Sequence, residues 1–176
     1  MDAYKKMVQD GGILSKLTKF VPGFGGYLER EQRRTADKMQ RDYLAQQLGV
    51  HKSKVSDITL ELTNSMKLDL LSPMDEISKK LEKMTDRIRY ADYGYAGFFD
   101  AVKINEAELA KIYEFDLSLV EYVQSIGESL NVIENGVDSE EEDGKLKSKI
   151  KTLHKTLTEF DNRFNDREHI ITGVKE

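Results

Sequence analysis

An unbroken helical period from Asn105 to Glu134 constrains this chain more than any other feature. Asn105, with Glu108 three residues on, reads as a capping-box start, because an N-cap side-chain oxygen accepts an orphan N–H of the first turn. Asn135-Gly136 reads as a left-handed stop. Between these signals Leu109, Ile112, Leu119, Val123, Ile126, Leu130 and Ile133 recur at three- and four-residue steps. A second apolar row, Ala110, Tyr113, Leu117 and Val120, runs beside the first. A stripe that wide must touch neighbours on two sides, which places the helix inside a bundle. Asp116 breaks the first row. A buried carboxylate is costly unless paired, so its position predicts a hydrogen-bonded or ionic partner, with Arg89, Arg33 and Arg34 as first candidates. Such a residue either fixes bundle register or marks a polar pocket with a functional use.

Other segments carry the same period. Tyr27 to Leu48 reads as a helix with Leu28, Ala36, Met39, Tyr43, Leu44 and Leu48 inward, stopped at Gly49. Residues 53–71 fit a helix through Val55, Ile58, Leu62 and Met66, although Ile58 to Thr63 also alternates as a strand would. Ser72-Pro73-Met74-Asp75 reads as the next start, with Ser72 the cap, Pro73 in the first turn, and a seam running from Met74 to Tyr95. The last helix places Leu146, Ile150, Leu153, Leu157, Phe160 and Phe164 on one seam. The expected fold is all-α: an antiparallel bundle of about five helices in one domain over residues 27–176, preceded by an amphipathic arm and turn over residues 1–26. With 176 residues, the chain is long enough to bury a core without staples.

The arm is basic as well as amphipathic. Ile13, Leu14, Leu17, Phe20 and Val21 line one side, with Lys16 and Lys19 on another. Residues 1–54 hold 11 Lys and Arg against 6 Asp and Glu, while the remainder carries the acidic excess that brings the net charge to −5. A basic arm before an acidic body either folds back onto that body or meets an anionic surface, where apolar burial and lysine attraction act together. Lys16, Lys19, Phe20, Phe24, Arg30, Arg33 and Arg34 are the candidate contacts for a protein partner or membrane. Arg30, Arg33, Arg34, Lys38 and Arg41 also crowd one predicted helix, the footprint of a nucleic-acid surface. Sparse aromatic interleaving, the lack of a recognition motif and a pI of about 5.4 argue against nucleic acid.

Two glycine-aromatic stretches punctuate the helices. Pro22-Gly23-Phe24-Gly25-Gly26-Tyr27 must turn, since proline restricts Val21 and glycines admit positive φ. It fails as a dinucleotide loop at Leu28, where glycine is needed, and it lacks a Gly-Lys-Ser/Thr. The second stretch gathers Tyr90, Tyr93, Tyr95, Phe98 and Phe99 around two glycines. It reads as a plug in the bundle end, set against the first stretch, or as an exposed patch for a partner. Taken together, Pro22 to Glu31, Arg33-Arg34 and Asp37, with Arg89-Tyr90 and Gly94-Tyr95-Ala96-Gly97-Phe98-Phe99-Asp100, resemble an uncharacterised prokaryotic all-helical family over about a third of the chain. The resemblance implies a cytosolic helical protein without an assigned reaction, associated with membrane-stress or band-7-type membrane scaffold assemblies. It brings no catalytic residues.

The sequence offers little for chemistry. Without cysteine there are no disulfides, thiolate metal sites or cysteine nucleophiles. His51, His154 and His169 are scattered, and none follows a glutamate by three residues as carboxylate-bridged di-iron bundles require. The acidic run Asp138 to Gly144 imitates a calcium loop, but Asp143 occupies its glycine position, so a solvated connector is expected. No cofactor or metal is expected. No signal-peptide core or ~20-residue apolar span is visible, which predicts a cytoplasmic protein, peripheral to membrane at most. The expected role is non-enzymatic: an interaction or scaffold protein that meets a protein partner, a second copy of itself or an anionic membrane. The alternatives are an enzyme or small-ligand binder with a polar pocket near Asp116, and a nucleic-acid binder through residues 27–48.

Overall fold

A computed structural model describes residues 12–91, 96–101 and 103–173. Every regular element among them is helical: α1 (Ile13–Phe20), α2 (Arg33–Asn64), α3 (Leu71–Arg89), α4 (Ala96–Asp100), α5 (Glu106–Asp138) and α6 (Asp143–Gly173), with 3-10 turns at Arg30–Gln32 and Leu68–Leu70. The fold is all-α, and four long helices make the bundle. α2 lies beside α3 and α5, and α6 lies beside α5 and α3, closing a square. α2 and α3 form one antiparallel hairpin, and α5 and α6 form another. The hairpins lie side by side in parallel, since Gln40 meets Asp116, His51 meets Val123 and Lys54 meets Glu134 in ascending order. In this arrangement α3 ends, at Arg89, at the same end of the bundle at which α5 begins, at Glu106.

Both apolar rows of α5 are covered: Leu109, Ile112, Leu119, Val123, Ile126, Leu130 and Ile133 on one, Tyr113, Leu117 and Val120 on the other. Asn105 caps its start, accepting the Glu108 N–H at 2.8 Å. Its end lies further on than the Asn-Gly signal indicates. The helix runs through Gly136 to Asp138, and Glu140 takes the left-handed conformation with φ 55°. Gly136 instead permits close approach, since a Cβ there would sit 2.8 Å from Leu146 Cδ2.

Several other boundaries move for tertiary reasons. The helix expected from Tyr27 begins at Arg33 and continues through Gly49, absorbing the segment left open between helix and strand. A helical glycine costs about 1 kcal/mol relative to alanine. Burial of Leu48 before it and of Val55, Ile58 and Leu62 after it outweighs that cost. Two expected helices therefore become one of 32 residues. Ser72 lies inside α3 rather than capping it, because the 3-10 turn before Leu71 already delivers the chain and buries Leu70. α3 stops at Arg89 rather than Tyr95, where Arg41 Nη1 donates to the Ile88 and Arg89 carbonyls at 3.2 and 2.8 Å. Orphan carbonyls at a helix end need donors, and the guanidinium supplies them.

α2 and α5 finish alike. At the end of α2, Lys67 N–H donates to the Leu62 carbonyl at 2.9 Å and Met66 N–H to Thr63 at 3.1 Å, with Met66 at φ 58°. This is a Schellman turn with methionine where glycine is favoured. Met66 is 75% exposed, so its side chain gives little packing in return. Met66→Gly should raise stability by about 0.5–1 kcal/mol, through release of left-handed strain. A higher urea midpoint at unchanged slope checks it; an unchanged midpoint refutes the strain.

His51, on α2, hydrogen-bonds the Val123 carbonyl at 2.8 Å and lies where Gly127 leaves room. Burial pushes its pKa below the usual value for histidine. The fold therefore favours neutral imidazole. This contribution is complete above the unfolded pKa of about 6.5 and is lost as pH falls towards the folded value. His51→Gln should flatten the fall in melting temperature between pH 7.5 and 5; an unaltered slope would assign that fall to other groups.

Candidate functional site

The turn after α1 and the segment around α4 close one end of the bundle, and the polar interior lies beneath them. Leu17, Val21, Phe24 and Tyr27 enter the same core as the long helices. The two glycine-aromatic stretches pack against each other: Tyr27 stands edge-on to Phe98 with ring centroids 5.4 Å apart and edge-on to Phe24 at the same distance. Tyr113 closes the cluster, 5.5 Å from Tyr27. Gly26, at φ 84°, lets the chain pass over the Tyr113 hydroxyl, which accepts the Tyr27 N–H at 2.8 Å.

Tyr27 carries this cap down to Asp116. Its hydroxyl donates to Asp116 Oδ2 at 2.5 Å, and Arg167 Nε on α6 donates to Oδ1 at 2.5 Å. Arg167 Nη2 reaches Asp37 Oδ1 at 2.9 Å, and Arg41 Nε holds the other Asp37 oxygen at 2.8 Å. Gln40 Nε2 donates to the Asp116 backbone carbonyl at 3.0 Å. Asp37, Gln40, Asp116 and Arg167 have no exposed surface. Two carboxylates thus face two guanidiniums, and charge balances inside the core. Arg33 stands apart from this network. Its Nε donates to the Tyr27 carbonyl at 2.9 Å and its Nη1 to the Phe98 and Ala101 carbonyls at 3.3 and 2.7 Å. It ties both aromatic stretches to the start of α2.

Burial pushes the Tyr27 hydroxyl well above its ordinary pKa, and the Asp116 carboxylate adds to that, so the phenol keeps its proton and donates. Burial also raises the Asp116 carboxyl, against the opposing pull of Arg167 and Tyr27. Arg33 is lowered by burial and by nearby Arg30.

The expected partner of Asp116 is therefore corrected. It is Arg167; Arg33 serves carbonyls, Arg34 pairs with Asp100 at 3.1 Å on the surface, and Arg89 gives its carbonyl to Arg41. Arg167 had a signal, since it continues the last seam by one three-residue step beyond Phe164. Asp37 and Arg41 likewise share the inner face of α2 with Leu44 and Leu48.

Among the expected contact residues, Lys16, Lys19, Arg30 and Arg34 are exposed and Phe20 is half-buried against the core. Phe24 and Arg33 are buried and drop out as contacts, because one fills the aromatic cluster and the other bonds three carbonyls. Phe98 and Phe99 are covered as well, while Tyr90 is exposed. Tyr93 and Tyr95, with the start of the arm, lie outside the described residues. Around Asp116 the structure offers no open access. One cleft, about 200 Å³, is bounded by Tyr27, Leu28, Arg33, Lys103, Ile104, Glu106 and Leu109 and reaches Tyr27 but not Asp116. No group of three or more His, Asp or Glu among the described residues is placed to hold a metal ion. No described helix is long and apolar enough to cross a membrane. No protein-family model, curated protein or solved structure matches the chain.

Proposed function

We propose that this chain is a non-enzymatic helical interaction or scaffold protein, a rigid bundle whose surface meets a protein partner. The observation that carries the reading is the closed interior network: Asp116 and Asp37 are engaged by Arg167, Arg41 and Tyr27. A catalytic acid or base must reach its substrate's proton, and a carboxylate saturated by its own chain has no such reach. The network acts as a register lock, setting α2, α5 and α6 at one relative height and fastening the end cap to them.

Two other readings are less well supported. A nucleic-acid surface needs free cations, yet Arg33 and Arg41 are buried on carbonyls and Asp37, and Arg34 is paired with Asp100 and stacked 4.6 Å over Phe99. Membrane contact through the arm needs its apolar face, and Leu17 is fully covered against the bundle. Lys16 and Lys19 remain available for a purely electrostatic contact, which is the form in which the membrane-scaffold association implied by the family resemblance would operate.

Native mass spectrometry of the full chain from its own cells, combined with cosedimentation on phosphatidylserine vesicles, tests the proposal. The expected result is a stoichiometric protein complex, or self-assembly, with no retained small molecule. Vesicle binding lost in Lys16→Glu/Lys19→Glu would place the scaffold at a membrane surface. A small molecule that is retained, and released by Asp116→Asn in a still-folded protein, would overturn the reading in favour of a ligand-binding site.

A further inference from the structure

Arg163 lies on α6 at a groove between α5 and α6, far from any role in the buried network. Its guanidinium is stacked 4.0 Å over the Phe115 ring. Its Nε donates to Ser118 Oγ at 2.8 Å, and that hydroxyl donates in turn to the Phe115 carbonyl at 2.8 Å. Phe115 and Ser118 are one helical turn apart, so ring and hydroxyl meet the side chain as a single clamp. The two terminal amino groups of Arg163 have no protein partner among the described residues. The groove beside them is about 420 Å³ and is lined by Ser118, Glu121, Tyr122, Ser125 and Arg163.

The chain itself shows what such a guanidinium binds. Arg87, on α3, is stacked 5.3 Å over Phe164 and spends its terminal amino groups on Asp161, Asn165 and Glu168 of α6. The two arrangements share an aromatic backing and a position between two helices, but among the described residues no carboxylate of the chain itself pairs with Arg163. We propose that the α5–α6 groove is a carboxylate-binding site, in which the clamped Arg163 offers its terminal amino groups to a planar carboxylate. The planar fork matches a carboxylate with two parallel hydrogen bonds, and stacking has already removed much of the side chain's freedom. Ser125 and Tyr122 add hydroxyls within the groove. Glu121 sets the class of anion: with a carboxylate on the rim and one cation in the groove, a monoanion is favoured over a phosphate dianion. The ligand is either a small organic carboxylate or the acidic side chain of a partner protein.

Titration of the ¹⁵N-labelled full chain, followed at the arginine Nε–H and backbone amide resonances, tests this with butyrate, an end-blocked tetrapeptide containing one glutamate, and inorganic phosphate as probes. Saturable shifts confined to Arg163, Ser118 and Ser125 are expected with the carboxylates. Arg163→Lys keeps the charge and loses the fork, so it should weaken binding at least tenfold, while Glu121→Gln should tighten it severalfold. Ser118→Ala, which frees the guanidinium without removing it, should give an intermediate loss. Tighter binding of the tetrapeptide identifies a protein's acidic side chain as the source, and tighter or equal binding of butyrate a small molecule; either supports the site. No saturable shift, equal affinity in a folded Arg163→Lys variant, or preference for phosphate overturns it.

Discussion

Replacing Arg167 by methionine is expected to lower the unfolding free energy by about 3–5 kcal/mol, the cost of leaving a buried ionic partner uncompensated. The reason lies in what Arg167 touches. Its Nε holds Asp116 and its Nη2 holds Asp37, so one substitution leaves two carboxylates without their shared cation in a fully covered interior. Methionine fills similar volume, so the loss reports charge rather than a cavity. The sign of the accompanying pH effect is fixed. Without Arg167 the Asp116 carboxyl, already raised by burial, loses the cation that opposes that rise, so its contribution to the variant's stability is complete below the ordinary aspartate pKa of about 4 and is lost as pH rises through the folded value. Urea unfolding at pH 7.5 and pH 5 reads both quantities. Adding Asp116→Asn should restore most of the loss at neutral pH, because the orphaned charge goes with the cation while Asp37 keeps Arg41. A loss under 1 kcal/mol in Arg167→Met, or no recovery in the double variant, would show that the pairing is not what holds these helices in register.

The second large effect is expected at Gly26. Alanine there is penalised twice: its φ of 84° is a region L residues rarely adopt, and its Cβ would lie 2.5 Å from the Tyr113 hydroxyl. Relief requires moving either Tyr113 or the turn, and each movement breaks the Tyr27 N–H bond to that hydroxyl. Strain and overpacking together should cost about 2–4 kcal/mol. Gly25→Ala is the matched control. Its Cβ meets only Gln32 Oε1 at 3.1 Å, the far end of an exposed, flexible side chain, so its effect should be small. Tyr113→Phe alone should cost about 1–2 kcal/mol through the unpaired amide. Combined with Gly26→Ala, it should cost less than the sum, because the hydroxyl is the atom struck. Strict additivity in that cycle would place the strain elsewhere.

The clamped Arg163 and the buried Arg167 stand four residues apart on α6, yet only one was legible as special from the chain. Arg167 occupies a seam position, where burial follows from period alone. Arg163 lies off the seam, and nothing in sequence spacing brings Phe115 and Ser118 beneath it, since that depends on the relative height of α5 and α6. The same limit explains Asp116. Its burial could be read from its row, because a helix face is set by 3.6-residue geometry, but its partner could not, because 51 residues of chain separate it from Arg167. Arg33 shows the limit from the other side: an arginine beside a turn reads as a surface cation until one carbonyl from that turn and two from a distant segment converge on it.

Local chemistry by itself determined the all-α class, the covered faces of α5 and α6, the Asn105 cap and the need to neutralise Asp116, because each depends on residues within one or two turns. Tertiary packing decided the rest: that Gly49 continues a helix, that Gly136 is a contact rather than a stop, that the arm's Leu17 and the turn's Phe24 face inward, and which guanidinium meets which acid. A helical period states which side of a rod avoids water, and it is indifferent to which other rod covers that side.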